Sequence, residues 1–179
     1  MLENLLIKNL REVITTGFEN VEGLENAKVL QAYQPIANGA EMVPTVYLSR
    51  IGDKRYGFNK RLSVDDSAGN QVTTNTQLIE TTFQINAWIK RSLKDVDQFT
   101  ANDLVQKVAA IFSTDETMTF LKSKNLSILR ITEIRNPYFK DDNNQNEASP
   151  SFDVTVIHSE VHSNSVEKFE EIESNIKRV

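Results

Sequence analysis

The chain has 179 residues, enough for one domain with a core of its own, and no cysteine, which excludes disulfides, thiol nucleophiles and thiolate metal sites. Asp and Glu number 25 against 20 Lys and Arg, and the resulting formal charge of -5 argues against general affinity for nucleic acid, which rests on a basic face. No apolar run approaches the ~20 residues of a membrane-spanning helix, and the start Met1-Leu2-Glu3-Asn4 lacks a secretory or transit pattern, so folding in a cytoplasm is expected.

Leu2, Leu6, Leu10, Val13 or Ile14, and Phe18 recur at helical spacing, which predicts an amphipathic helix over residues 2–18, ended by Gly17 and the turn residues 20–23. A strand is expected over residues 28–33, closed by Pro35 and the turn 37–40. Pro44 then opens a second strand over residues 45–51. Gly52-Asp53 reads as a hairpin turn into residues 54–58. Residues 61–76 are polar and turn-rich around Asp65, Asp66, Ser67, Gly69 and Asn70, and predict either an exposed mobile excursion or, from the Val and Thr on its shoulders, a β-hairpin arm.

The most regular stretch is residues 81–90. Phe83, Ile85, Ala87 and Ile89 alternate with Thr82, Gln84, Asn86, Trp88 and Lys90, the period-two pattern of a central strand with one dry and one wet side. Trp88, the large hydrophobe on the wet side, reads as a core rim or as the anchor of a contact with another chain. Thr100 with Asp103 three residues on has the form of a capping box, and Leu104, Val108, Ile111 and Phe112 continue at helical spacing. The capping signal repeats at residues 113–116, predicting a short second helix closed by Lys124-Asn125. Strands follow over residues 126–134 and 152–158, joined by a polar surface loop through Tyr138, Phe139, Asp141 and Asp142 to Glu147. The charged residues after 163 carry Val166, Phe169, Ile172 and Ile176 at spacings of three and four, which allows a terminal helix. The expected organisation is one domain over residues 1–162 and a charged tail over 163–179. The expected fold class is α+β, a mostly antiparallel sheet with helices packed on one face and long polar loops or a β-hairpin arm.

Catalytic chemistry is hard to assemble from these residues. His158, Glu160 and His162 share one side of a strand, but a solvated face is the stronger reading than a metal site, for want of a fourth ligand. Asp65-Asp66 and Asp141-Asp142 lack the spacing of a calcium loop, and the six glycines form no phosphate cradle. No nucleophile motif is present either, so neither an enzyme nor a cofactor is expected. Lys54, Arg55, Lys60 and Arg61, interleaved with Tyr56 and Phe58, form a modestly basic cluster. It reads as a solvent-facing hairpin with its aromatics turned inward, as a nucleic-acid site, or as a contact with an acidic neighbouring subunit.

The order of elements, with the strand motif INAWIKR, the helix opening Thr100-Ala101-Asn102-Asp103-Leu104, and the close LRITEIRNPYFKDDNNQNEASPSFDVTVIHSEV, resembles the neck or tail terminator proteins of tailed bacteriophages over about residues 1–162. The resemblance implies a non-enzymatic virion protein, assembled in the bacterial host cytoplasm, that forms a homo-hexameric ring on the end of the tail tube. Such a ring stops tube polymerisation and meets the head–tail connector or neck proteins, with the sheath as a further neighbour and no direct recognition of nucleic acid or membrane. Residues expected at the subunit interface are Trp88, Arg55, Tyr56, Arg61, Asp65, Asp66, Tyr138, Phe139, Asp141 and Asp142. The alternative is a small cytoplasmic binding module that recognises an acidic protein or nucleic acid through residues 54–61.

Overall fold

A computed structural model describes residues 3–19, 21–32, 43–65, 70–90, 98–140 and 146–167. The first helix, α1 (Glu3–Glu19), buries Leu6, Leu10, Val13, Ile14 and Phe18 at the expected spacing, with Ile7 widening the stripe. Gly17 is a position inside this helix and not its breaker. A Cβ there would lie 2.6 Å from Ile111 Cδ1, so the missing side chain is what lets the two helices approach.

Strand β1 (Lys28–Gln31) leads to β2 (Thr45–Asp65), which turns into β3 (Asn70–Trp88). Helices α2 (Ala101–Phe112) and α3 (Asp115–Ser123) follow, then β4 (Leu126–Ile131), the short strands β5 (Tyr138–Lys140) and β6 (Asn146–Ala148), and β7 (Ser151–Glu167). Five of the strands form one sheet in the order β1-β2-β3-β7-β4. Only the β1–β2 pair is parallel; the remaining pairs of that sheet are antiparallel. The stretch 81–90 is therefore central, as its alternation implies. Phe83, Ile85 and Ala87 are buried, and Ile89 packs against the same core.

Register explains why one face is dry. Val46 and Leu48 of β2 stand beside Ala87 and Ile85, and Val154 and Phe152 of β7 stand beside Phe83 and Ile85, so apolar side chains of three strands form one layer. A one-residue slip would turn all of them to the other side. Leu10, Ile14 and Phe18 of α1 and Leu104, Val108 and Phe112 of α2 complete the core on that face, with Phe112 edge-on to Phe152 at 6.4 Å between ring centroids and 73° between planes.

Helix starts follow the hydroxyl signals. The Asp103 amide donates to Thr100 Oγ1 at 3.1 Å while the Thr100 amide donates to Asp103 Oδ2 at 2.9 Å, a complete capping box. Thr114 caps α3 by accepting from the Thr117 amide at 3.3 Å. Asn125, at φ 58, makes the turn from α3 into β4.

Further expectations about the strands need correction. The hairpin at Gly52-Asp53 does not exist: β2 runs on to Asp65, and the register shifts between Arg50 and Gly52 and between Tyr56 and Lys60 instead. Both interior glycines are thus absorbed as bulges, which bend a strand without ending it. The loop after Asn136 contains a small ladder, with Tyr138 opposite Ala148. Finally, β7 continues to Glu167, beyond the 162 boundary, because it pairs with β3 as far as Asn70.

Candidate functional site

Beyond the core the three longest strands of the sheet continue together as an arm. All residues 51–65 of β2 are exposed and run beside residues 71–82 of β3, and residues 70–82 of β3 pair in turn to residues 155–167 of β7. The reading of residues 61–76 as a β-hairpin arm is the correct one of its two alternatives, and the arm gains a third strand from β7. Strand β1 covers only residues 45–48 of β2, and β4 covers only residues 126–131 against 154–158 of β7. Past those points neither outer strand has a strand neighbour among the described residues, so backbone donors and acceptors line both edges.

The arm carries different chemistry on its two faces. On the face away from the helices the register aligns Tyr56 with Leu78, Leu62 with Thr74, Val64 with Val72, and Thr76 with Val161. Tyr56 is 58% exposed, Leu62 55%, Val64 56%, Val161 57% and Leu78 45%, an apolar stripe left in water by the single chain. On the other face Arg55 pairs with Glu160 at 3.2 Å, and His162 lies 3.6 Å from the same carboxylate. Further out the strands are held by polar rungs on both faces, Ser63–Thr73 at 3.0 Å on this one and Thr74–Ser163 at 3.2 Å on the face of Leu62.

A charged network fixes the base of the arm to the helical layer. Arg50 donates to Glu3 of α1 at 2.8 Å and also to Asp53, its partner across the first bulge. Burial works to raise the Asp53 carboxyl, but hydrogen bonds from Arg50 and Thr81 outweigh it and hold the group below the ordinary 3.8. Thr81 also shares a 3.0 Å hydrogen bond with His158 Nε2. Burial pushes the His158 imidazole below its ordinary value, and the carboxylates of Asp53 and Glu160 only partly oppose this. His158 Nδ1 has no hydrogen-bond partner among the described residues. The expected solvated face of His158, Glu160 and His162 is thus correct for His162 and wrong for His158, which stands opposite Ile79 and Leu126 where the core ends. Among the described residues no three His, Cys, Asp or Glu side chains converge on a metal position.

Of the residues expected at an interface, Arg55, Tyr56, Arg61 and Asp65 lie together on the arm. Trp88 does not. It is half-buried, pairs with Thr45 at the opposite end of the sheet, and is thirteen positions along β3 from Asn75, the partner of Arg61, or roughly 40 Å. Tyr138 is 73% exposed on the small β5–β6 ladder, and Phe139 belongs to the same ladder, which is a separate two-stranded sheet. Asp66, Asp141 and Asp142 fall outside the described residues. The basic cluster is also divided: register puts Lys54 and Lys60 on the face of Tyr56, and Arg55 and Arg61 on the other, so no single basic face results. Its aromatics point outward and not inward, with Phe58 fully exposed at the second bulge and the Lys54 ammonium 5.9 Å from the Tyr56 ring centroid. Sequence reasoning missed Leu62, Val64, Leu78 and Val161. Their signal is an apolar residue at alternate positions within polar stretches, visible only once the three strands are known to be neighbours.

No curated protein matches the sequence. Among solved structures the chain is similar to one described as an extracellular contractile injection system, PVC sheath/tube terminator in extended state, at 12% identity and a TM-score of 0.47. The alignment covers all of this chain and 64% of that one, so the chain spans less than two thirds of the neighbour's length. Residues 5–168 match the sequence family described as E217 gateway protein gp29. The chain therefore belongs to the family described as E217 gateway protein gp29.

Proposed function

We propose that copies of this chain join through their arms into a homo-hexameric ring that caps the end of a phage tail tube, stops its polymerisation and presents a surface to the head–tail connector. Family membership across residues 5–168 supports the structural role. The observation that carries the self-association is the arm, fifteen consecutive exposed residues of β2 with an apolar stripe on one face and open strand edges. A ribbon wet on both faces gains little by itself, whereas pairing an edge or covering the stripe with a second copy supplies the missing burial. A head-to-tail contact between two different surfaces of each copy closes into a ring when the rotation permits.

On this reading the chain acts as a virion component assembled in the host cytoplasm, with tube and sheath proteins as its other neighbours and no bond made or broken in a substrate. A binding module acting through residues 54–61 is not favoured, since its cations divide between two faces and Arg55 is engaged by Glu160. Light scattering of the isolated chain together with co-sedimentation on assembled tail tubes tests the proposal. Hexamers, free or on tube ends, are expected; a chain that stays monomeric and leaves tubes in the supernatant would overturn it.

A further inference from the structure

A second unpartnered surface lies in the helical layer, remote from the arm. Helices α1, α2 and α3 enclose an open groove of about 490 Å³ whose floor is Val13, Val21, Ile111 and Phe120, with the exposed Ala110 on its wall. Glu12, Glu116 and Lys107 stand on its rim. This is a concave apolar surface with little polar chemistry, of a size that takes a few side chains of a helix and unlike a site for a charged small molecule.

The sequence holds a segment of matching character. Residues 168–179, outside the described residues, carry Phe169, Ile172 and Ile176 at spacings of three and four, between Glu170, Glu171 and Glu173 and before Lys177-Arg178. That is the anchor pattern of an amphipathic helix laid in a groove, with charges of both signs to set against a rim of both signs.

Geometry decides whose groove it can fill. The segment starts at Glu167, which pairs with Asn70 at the far end of the arm, while the body begins near Phe83, the partner of Arg50 whose guanidinium holds Glu3. Thirteen residues of β3 separate the two, about 43 Å. The groove is further still, because α1 runs from Glu3 away from the arm, toward β1, whose Lys28 opposes Thr45 at the distal end of β2. A helix of residues 168–179 is about 18 Å long, and even fully extended the segment spans about 40 Å. Its own groove is out of reach in either form.

We propose that the groove between α1, α2 and α3 receives residues 168–179 of a neighbouring copy, folded as a helix that seats Phe169, Ile172 and Ile176. The contact rests on the ring reading, in which each arm end lies against the next copy, and it links the arm end of one copy to the helical layer of another.

The test uses a full-length chain carrying Phe169→Asp and Ile172→Asp, whose own segment can no longer fill a groove in any oligomer. A fluorescein-labelled peptide of residues 168–179 is titrated with it and followed by anisotropy, and light scattering of the same sample reports the oligomeric state. Saturable binding is expected, lost when the peptide carries Ile172→Asp and weakened by roughly tenfold or more when the receptor also carries Ala110→Glu, which sets a carboxylate on the wall of an apolar groove. Absence of saturable binding overturns the proposal, and does so without touching the ring reading if scattering still finds oligomers. Binding unaffected by Ala110→Glu, with the receptor's circular dichroism unchanged, overturns the groove as the docking place. The peptide variant keeps the test decisive should Ala110→Glu impair folding.

Discussion

At the scale of single residues the fold depends on a few polar groups with defined partners. His158 is buried, shares its Nε2 with Thr81 and titrates below the ordinary 6.5. The sign follows: with the folded value depressed, the unfolded chain binds the extra proton first, so stability is fully present above pH 6.5 and declines as pH falls from 6.5 toward the folded value. Urea midpoints measured through that range should fall with acid for the native chain, and His158→Gln should flatten the dependence. Asp53, held below 3.8, contributes a separate loss that begins only at lower pH. Thr100→Ala removes the acceptor of the α2 cap and should cost about 1 kcal/mol by chemical denaturation. Caps of this kind are legible in sequence because donor and acceptor are three residues apart. The burial of His158 is not, since the spacing of His158, Glu160 and His162 gives a shared face and says nothing of where along that face the core stops.

At the scale of elements the central strand was legible and the arm was half so. The alternation from Phe83 to Ile89 reports burial directly, because each odd position is covered by helices. Residues 51–65 alternate as well, but both sides of the arm are wet, so no periodic contrast marks them as strand. Gly52 then looks like a turn, and only pairing to β3 makes it a bulge. The apolar stripe of the arm yields a specific prediction. Leu62→Lys with Val64→Lys changes two side chains that are exposed in the single copy, so monomer stability should stay within about 0.5 kcal/mol while self-association is lost. Scattering together with denaturation of the double variant checks both halves. Oligomers of undiminished stability would remove the stripe from the interface.

The whole molecule divides into a body with a core of its own and an arm exposed in the single copy, the part that the proposed ring would use. The body is held by one apolar layer between sheet and helices, and Phe83→Ala at its centre should cost about 3–5 kcal/mol in unfolding measurements. The arm adds little that a single copy can use, which is what the proposed ring would supply. From the sequence an arm was only one of two readings of residues 61–76, with a turn expected at Gly52-Asp53 inside the strand that carries it. The partition of the interface residues was not legible either, because Trp88 and Arg61 share neighbouring strands yet stand at opposite ends of the sheet. The most direct measurement is electron microscopy of tail tube protein polymerising with and without this chain. The account predicts that added chain forms a ring at one tube end and arrests growth there, giving shorter tubes; decoration along the tube length, or unaltered tube lengths with bare ends, would contradict it.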